Sequence, residues 1–102
     1  MEICAGAGEW ACAQAAHDQD HNWMTLEIRQ DRVYNTWTRM FMQKISNLRA
    51  LSGDAKVVLP RFFPDNAVDI VYVNYPEPPQ QHSEKEESEA KHLLSKVCLC
   101  KP

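Results

Sequence analysis

The sequence predicts an α/β protein built on a parallel sheet with flanking helices, with about four strands read along the chain. Three observations predict it. Apolar runs bounded by turn formers alternate with segments of helical period. The strand-like runs are apolar on both faces, as strands are when helices cover both sides of a parallel sheet. Finally, the residues suited to bind a ligand fall where the strands end, the edge at which such sheets place their ligands.

The elements follow in order. "MEIC" reads as the end of a strand, and "EWACAQAAHD" as an Ala-rich helix closed by Asp18 and Asp20. "NWMTLEI" is a short buried strand ending in an acid. "RQDRVYNTWTRMFMQKI" places Val33, Trp37, Met40, Phe41, Lys44 and Ile45 on one face, the stripe of an amphipathic helix. "LRALSGD" is a third strand with a Gly-Asp stop, "AKVVLPRF" a short helix, and "AVDIVYVNYP" the clearest strand, stopped by Pro76.

Composition narrows the class. A chain of 102 residues, 44% hydrophobic, with three Trp and a net charge of -3, suits one small globular domain rather than a disordered segment. No apolar run approaches the roughly 20 residues of a membrane span. Glu2 and Glu9 stand where a signal peptide carries Lys or Arg, so a cytoplasmic or nuclear protein is expected. The four cysteines are expected as reduced thiols, because the apolar content suffices for a core without disulfides. His82, His92, Cys98 and Cys100 are metal-binding residue types without paired C-x-x-C spacing, and no metal is expected.

Each strand end has a chemical reading. Gly6 and Gly8, in "EICAGAGEW", permit a tight turn and close approach of backbone to ligand, where a Cβ would collide. Glu27 lies nineteen residues after Gly8, close to the offset of about 20 at which an acid takes the ribose hydroxyls of a bound nucleotide. A carboxylate accepts two hydrogen bonds, which matches a vicinal diol. By spacing alone the alternatives stay open: an ordinary glycine turn, and a solvated acid at a strand end.

Taken together, "EICAGAGEW", "LEIRQDRV", "NLRALSGDA" and "VDIVYVNYPEPP" resemble, in order and spacing, the tRNA (guanine-N7)-methyltransferases of bacterial type, as a partial or divergent member. The resemblance implies a Rossmann-like S-adenosylmethionine methyltransferase fold, with residues 1–82 as a partial cofactor domain and 83–102 as an acidic helix or linker and tail of the same domain. It implies that Glu2 and the Gly6–Gly8 loop hold the methionine end of S-adenosylmethionine, Glu27 the ribose, and Asp54 with the backbone of Ala55 the adenine. Glu77 stands where the family has the Asp of P-D-P, linked with catalysis and the target base. The implied partner is tRNA.

The departures matter too. Cys4 replaces the first glycine of the loop, which is tolerable if that position is strand-like, and Pro79 replaces the family's Trp. Where the family places Lys and Arg against the tRNA backbone, residues 83–91 carry four Glu and two Lys, a balance that repels phosphate and suits a solvated helix start or linker. His82 follows Glu77 more closely than the family's His follows its Asp. The family's sheet has seven strands, and the resemblance implies that only about the first four are present here, the first cut short, which leaves edges that invite a partner chain completing the sheet. Two functions are therefore expected: a methyltransferase acting on guanine N7 of tRNA, or a non-catalytic remnant or binding module that needs a partner or a missing half. A dinucleotide-binding domain is a weaker third, because Pro-Glu-Pro has no place in it.

Overall fold

The computed structural model describes residues 1–74. Four strands, β1 (Glu2–Ile3), β2 (Trp23–Glu27), β3 (Leu48–Ser52) and β4 (Tyr72–Val73), alternate with three helices, α1 (Glu9–His17), α2 (Gln30–Met42) and α3 (Ala55–Phe62). The strands form one sheet in the order β3-β2-β1-β4, every pair parallel. The expected alternation of strand and helix is therefore present, and α3 has the bounds read from the sequence.

Side chains alternate across the sheet and so build two cores. Leu26 and Ile3 point to the α3 side, where they pack with Met1 and Leu59. Trp23 and Leu48 point to the other side and meet Ala11, Cys12 and Ala15 of α1. Ala11 and Ala15 are fully buried; their small side chains let α1 lie close on the sheet. Trp10 and Trp23 meet edge to face at 6.0 Å, and Tyr72 stacks on Trp23 at the same distance, joining α1, β2 and β4. The turn from α1 to β2 is held by Asn47, whose Nδ2 donates to the carbonyls of Ala15, Asp18 and His21 at 2.9, 2.9 and 3.0 Å.

Three sequence expectations are corrected. The stripe expected on α2 does not face the core: Trp37 is 60% and Phe41 74% exposed, and they stack on each other at 6.3 Å. The buried position is Thr36, with Val33 and Met40 half-buried beside it, because a small side chain is needed where α2 crosses the glycine turn. Lys44 is not on the helix at all. It takes φ 55 just past the C-cap Gln43, and Lys44 N–H to Phe41 O with Ile45 N–H to Met40 O form a Schellman closure that returns Ile45 to the core.

The expected fourth strand is the second correction. Among the described residues only Tyr72–Val73 pair as strand, because β4 there bonds to β1 alone and β1 has two residues. The ladder reaches one residue further, with Met1 ammonium to Ile70 O and Tyr72 N–H to Met1 O, both 2.8 Å. Before that, Pro64 to Ala67 form a turn in which Asn66 has φ 62.

Third, Cys4 is not strand-like. Its φ of 58 is left-handed, the region glycine tolerates and other residues enter at a cost of about 1 kcal/mol. That geometry explains why glycine suits the position better than cysteine.

Candidate functional site

The C-terminal ends of β1 and β2 meet in a loop of unusual backbone. Residues 4, 6 and 8 all have positive φ: 58, 57 and 74. Gly8 caps α1 and has no room for a side chain, because an added Cβ would lie 2.4 Å from Thr36 Oγ1 and 2.5 Å from its methyl group. Gly6 is different. Its added Cβ would meet nothing within 4 Å among the described residues, so its glycine serves the backbone turn and leaves open space beside the loop there.

Glu27, at the end of β2, holds this loop directly. Oε2 accepts the Gly6 N–H at 2.9 Å and Oε1 accepts the Arg29 N–H at 3.1 Å. The residue is only 5% exposed, so it is not a solvated acid. Two donors leave about half of a carboxylate's four acceptor directions for other partners.

Glu2, on β1, is buried at 3% exposure. Asn74 Nδ2 donates to its Oε1 at 3.4 Å, and its Oε2 is buried with no partner among the described residues. Burial pushes its carboxyl above the ordinary value; the Asn74 hydrogen bond and the Met1 ammonium pull the other way. A buried carboxylate oxygen without a donor is costly, and a ligand that brings a donor relieves that cost.

Asp54 and Ala55 open α3 at the same end of the sheet. The Asp54 side chain caps the helix by accepting the Lys56 N–H at 2.9 Å. The end of β3 is tied to that of β2 by the Gly53 N–H donating to Glu27 O at 3.0 Å. Glu2, Gly6, Gly8, Glu27, Asp54 and Ala55 thus lie along one edge of the sheet. Glu77, His82 and the acidic stretch 83–91 lie outside the described residues, as do His92, Cys98 and Cys100. Among the described residues no cluster of His, Cys, Asp or Glu is fit to hold a metal, and no helix is long and apolar enough to cross a membrane.

Sequence reasoning missed three supports of the site. Thr36 packs on Gly8. Arg39, also from α2, donates from Nε to Ala7 O at 3.2 Å and from Nη2 to Glu9 Oε1 at 3.0 Å, pinning the loop to the start of α1. Asn74 reaches Glu2. None carries a local signal, since each partner is 28 or more residues away. A separate cavity of about 480 Å³, lined by residues including Met1, Asp18, His21, Trp23 and Asp69, opens at the opposite, N-terminal ends of the strands. There the carboxylate of Asp18 raises the pKa of exposed His21, 2.8 Å away, and is itself lowered.

A parallel sheet with a glycine turn after its first strand and a buried acid ending its second defines a Rossmann-like α/β domain of the nucleotide-cofactor type. Within that class the chain belongs to a methyltransferase family: the family described as "Putative methyltransferase" matches residues 1–97. It is 36% identical over 77 residues to a tRNA (guanine-N(7)-)-methyltransferase of Chlamydia felis, covering 76% of this chain and 34% of that protein. The chain thus spans about a third of the length of the curated relatives it matches. Among solved structures it is similar to TrmN of Thermus thermophilus, with a TM-score of 0.63 at 27% identity over 93% of this chain and 26% of that one. A SAM-dependent methyltransferase of Thiobacillus denitrificans, solved with S-adenosyl-L-homocysteine, shares the fold with a TM-score of 0.66 at 15% identity, covering 94% of this chain and 36% of that one.

Proposed function

We propose that this chain is the cofactor half of an S-adenosylmethionine-dependent methyltransferase acting on guanine N7 of tRNA in the cytoplasm. The observation that carries the reading is the convergence of Glu2, Gly6 and Glu27 at one strand edge, with a buried Glu2 oxygen lacking a donor and open space beside Gly6. The names of the relatives support the reaction and the substrate.

The residues present fit the cofactor. The unpartnered Glu2 Oε2 suits its ammonium, the acceptor directions left on Glu27 suit a ribose diol, and the start of α3 at Asp54 and Ala55 suits the adenine. Bound S-adenosylmethionine supplies an electrophilic methyl group. Guanine N7 has a free lone pair, so no proton has to be removed and no general base is required. What the protein contributes is position. The loop at Gly6 admits close approach, and Arg39 with Thr36 keeps it from shifting. Glu77 is assigned to the target base, where a carboxylate stabilises the positive charge that develops on methylated guanine. The glutamate side chain is one methylene longer than aspartate, which moves the carboxylate by about an ångström. The acidic stretch 83–91 offers no attraction for phosphate, so contacts to the tRNA backbone fall to other parts of the enzyme.

The test is calorimetric titration of the chain with S-adenosylmethionine, with Glu27→Gln alongside, followed by methylation of unmodified tRNA and mapping of the product nucleoside. Saturable binding weakened at least tenfold by the substitution supports the cofactor site. Absence of binding by the wild-type chain refutes it for this chain, and methylation at an atom other than N7 refutes the target.

A further inference from the structure

Side chains tie the ends of β1 and β4 together beyond the last paired residues. Glu2 pairs with Tyr72 in the parallel register, and the period of two puts Asn74 on the same face of the sheet as Glu2. There Asn74 Nδ2 donates to Glu2 Oε1 at 3.4 Å, while Glu2 Oε2 is buried without a partner among the described residues.

We propose that Asn74 is a positioning residue of the cofactor site: its carboxamide occupies Glu2 Oε1 and so leaves Oε2 as the acceptor for a cationic amine. The inference rests on the cofactor reading above, in which that amine is the α-ammonium group of S-adenosylmethionine.

The chemistry of Asn suits this task. A buried carboxylate without donors takes up a proton, and a protonated carboxyl no longer attracts an ammonium group. Asn supplies a donor without bringing a charge. A Lys or Arg in its place would neutralise Glu2 permanently and compete with the ligand's cation. The other groups around Glu2 do not replace it. Just before β1 the Met1 ammonium group, lowered in pKa by burial, is attracted by Glu2 and then by Asp69, but its hydrogen bond goes to Ile70 O rather than to the Glu2 carboxylate. From α1, Cys12 presents a thiol held neutral, its pKa raised by burial and by Glu2 against the opposing pull of Arg39. Thr25 of β2 and Tyr72 of β4, the register partners of Glu2, bring no charge.

Two readouts on the full chain test the proposal: the carbon-13 titration of the Glu2 carboxyl without cofactor, and the S-adenosylmethionine Kd as a function of pH, each for wild type and Asn74→Ala. The carboxyl midpoint is expected to rise in the variant by about one pH unit. The acidic limb of the binding profile should rise with it, giving up to tenfold weaker binding on that limb and little change at high pH. Asn74→Asp, which places a second carboxylate beside the first, should move both readouts further. An unchanged Glu2 midpoint in Asn74→Ala overturns the proposal whether or not cofactor binds. A raised midpoint in a chain whose wild type binds no S-adenosylmethionine supports the Asn74–Glu2 linkage and instead overturns the ammonium assignment, together with the cofactor reading. A uniform loss of affinity at every pH with an unmoved midpoint marks a merely structural role and also overturns it.

Discussion

Glu27 Oε2 accepts the backbone N–H of Gly6 at 2.9 Å, across 21 residues of sequence. The acid at the end of the second strand therefore shapes the glycine loop, beside the cofactor contact proposed for it. This dual role changes what its removal should do.

Glu27→Ala leaves the part-buried Gly6 and Arg29 N–H groups without this acceptor, a loss of about 1 kcal/mol or more. Urea unfolding should show that loss, alongside a fall of tenfold or more in S-adenosylmethionine affinity by calorimetry. A variant with unchanged stability and unchanged affinity would remove Glu27 from both roles.

Gly8→Ala should destabilise the domain by about 2 kcal/mol or more, because φ 74 disfavours any L side chain and the added Cβ overlaps Thr36. Only the overlap can be relieved from the other side. In a Thr36→Ala background the same substitution should cost about 1 kcal/mol less, a coupling that a double-mutant cycle of unfolding free energies measures directly.

The Glu2 carboxyl gives a pH dependence of definite sign. Burial raises its pKa in the folded state, so the folded protein holds this proton more tightly than the unfolded chain. Its contribution to stability is therefore fully present below the unfolded carboxyl value and is lost as pH rises through the raised folded value. Half-buried Asp18 and exposed Asp31, lowered by His21 and Arg29 respectively, contribute with the opposite sign, losing stability as pH falls. Comparing wild type with Glu2→Gln isolates the first effect. The variant should gain melting temperature relative to wild type at neutral pH and lose that advantage near about pH 4. A constant difference across that range would contradict the assignment.

The exposed aromatic pair on α2 should tolerate change. Trp37→Lys, at a position 60% exposed, is expected to alter unfolding free energy by no more than about 0.5 kcal/mol. Leu48→Ala, at a fully buried position, should cost about 2–5 kcal/mol. Paired thermal melts of the two variants check the corrected orientation of the helix, and equal losses would contradict it.

Much of this was legible in the chain itself. Short apolar runs, turn formers and the Asp54 cap are local signals, so the βαβ order and the bounds of α3 were readable. So was the clustering of Gly6, Gly8, Glu27 and Asp54 at strand ends, since the edge of a parallel sheet follows from strand direction alone. The α2 stripe misled because Trp37 and Phe41 have a helical period that does not say which neighbour exists to cover it. The length of β4 misled because hydrophobicity marks the capacity to pair, whereas pairing itself needs a partner strand, and β1 offers two residues.

The sequence by itself determined the order of elements, the parallel sheet and the chemical types gathered where its strands end, because backbone period and turn chemistry act over a few residues. Only the tertiary structure decided that Thr36 and Arg39 clamp the glycine loop, that Cys4 is left-handed, and that Asn74 reaches Glu2 across 72 residues. Those relations depend on how strands register and how helices cross, and contacts between residues distant in sequence leave no pattern in the segments that make them.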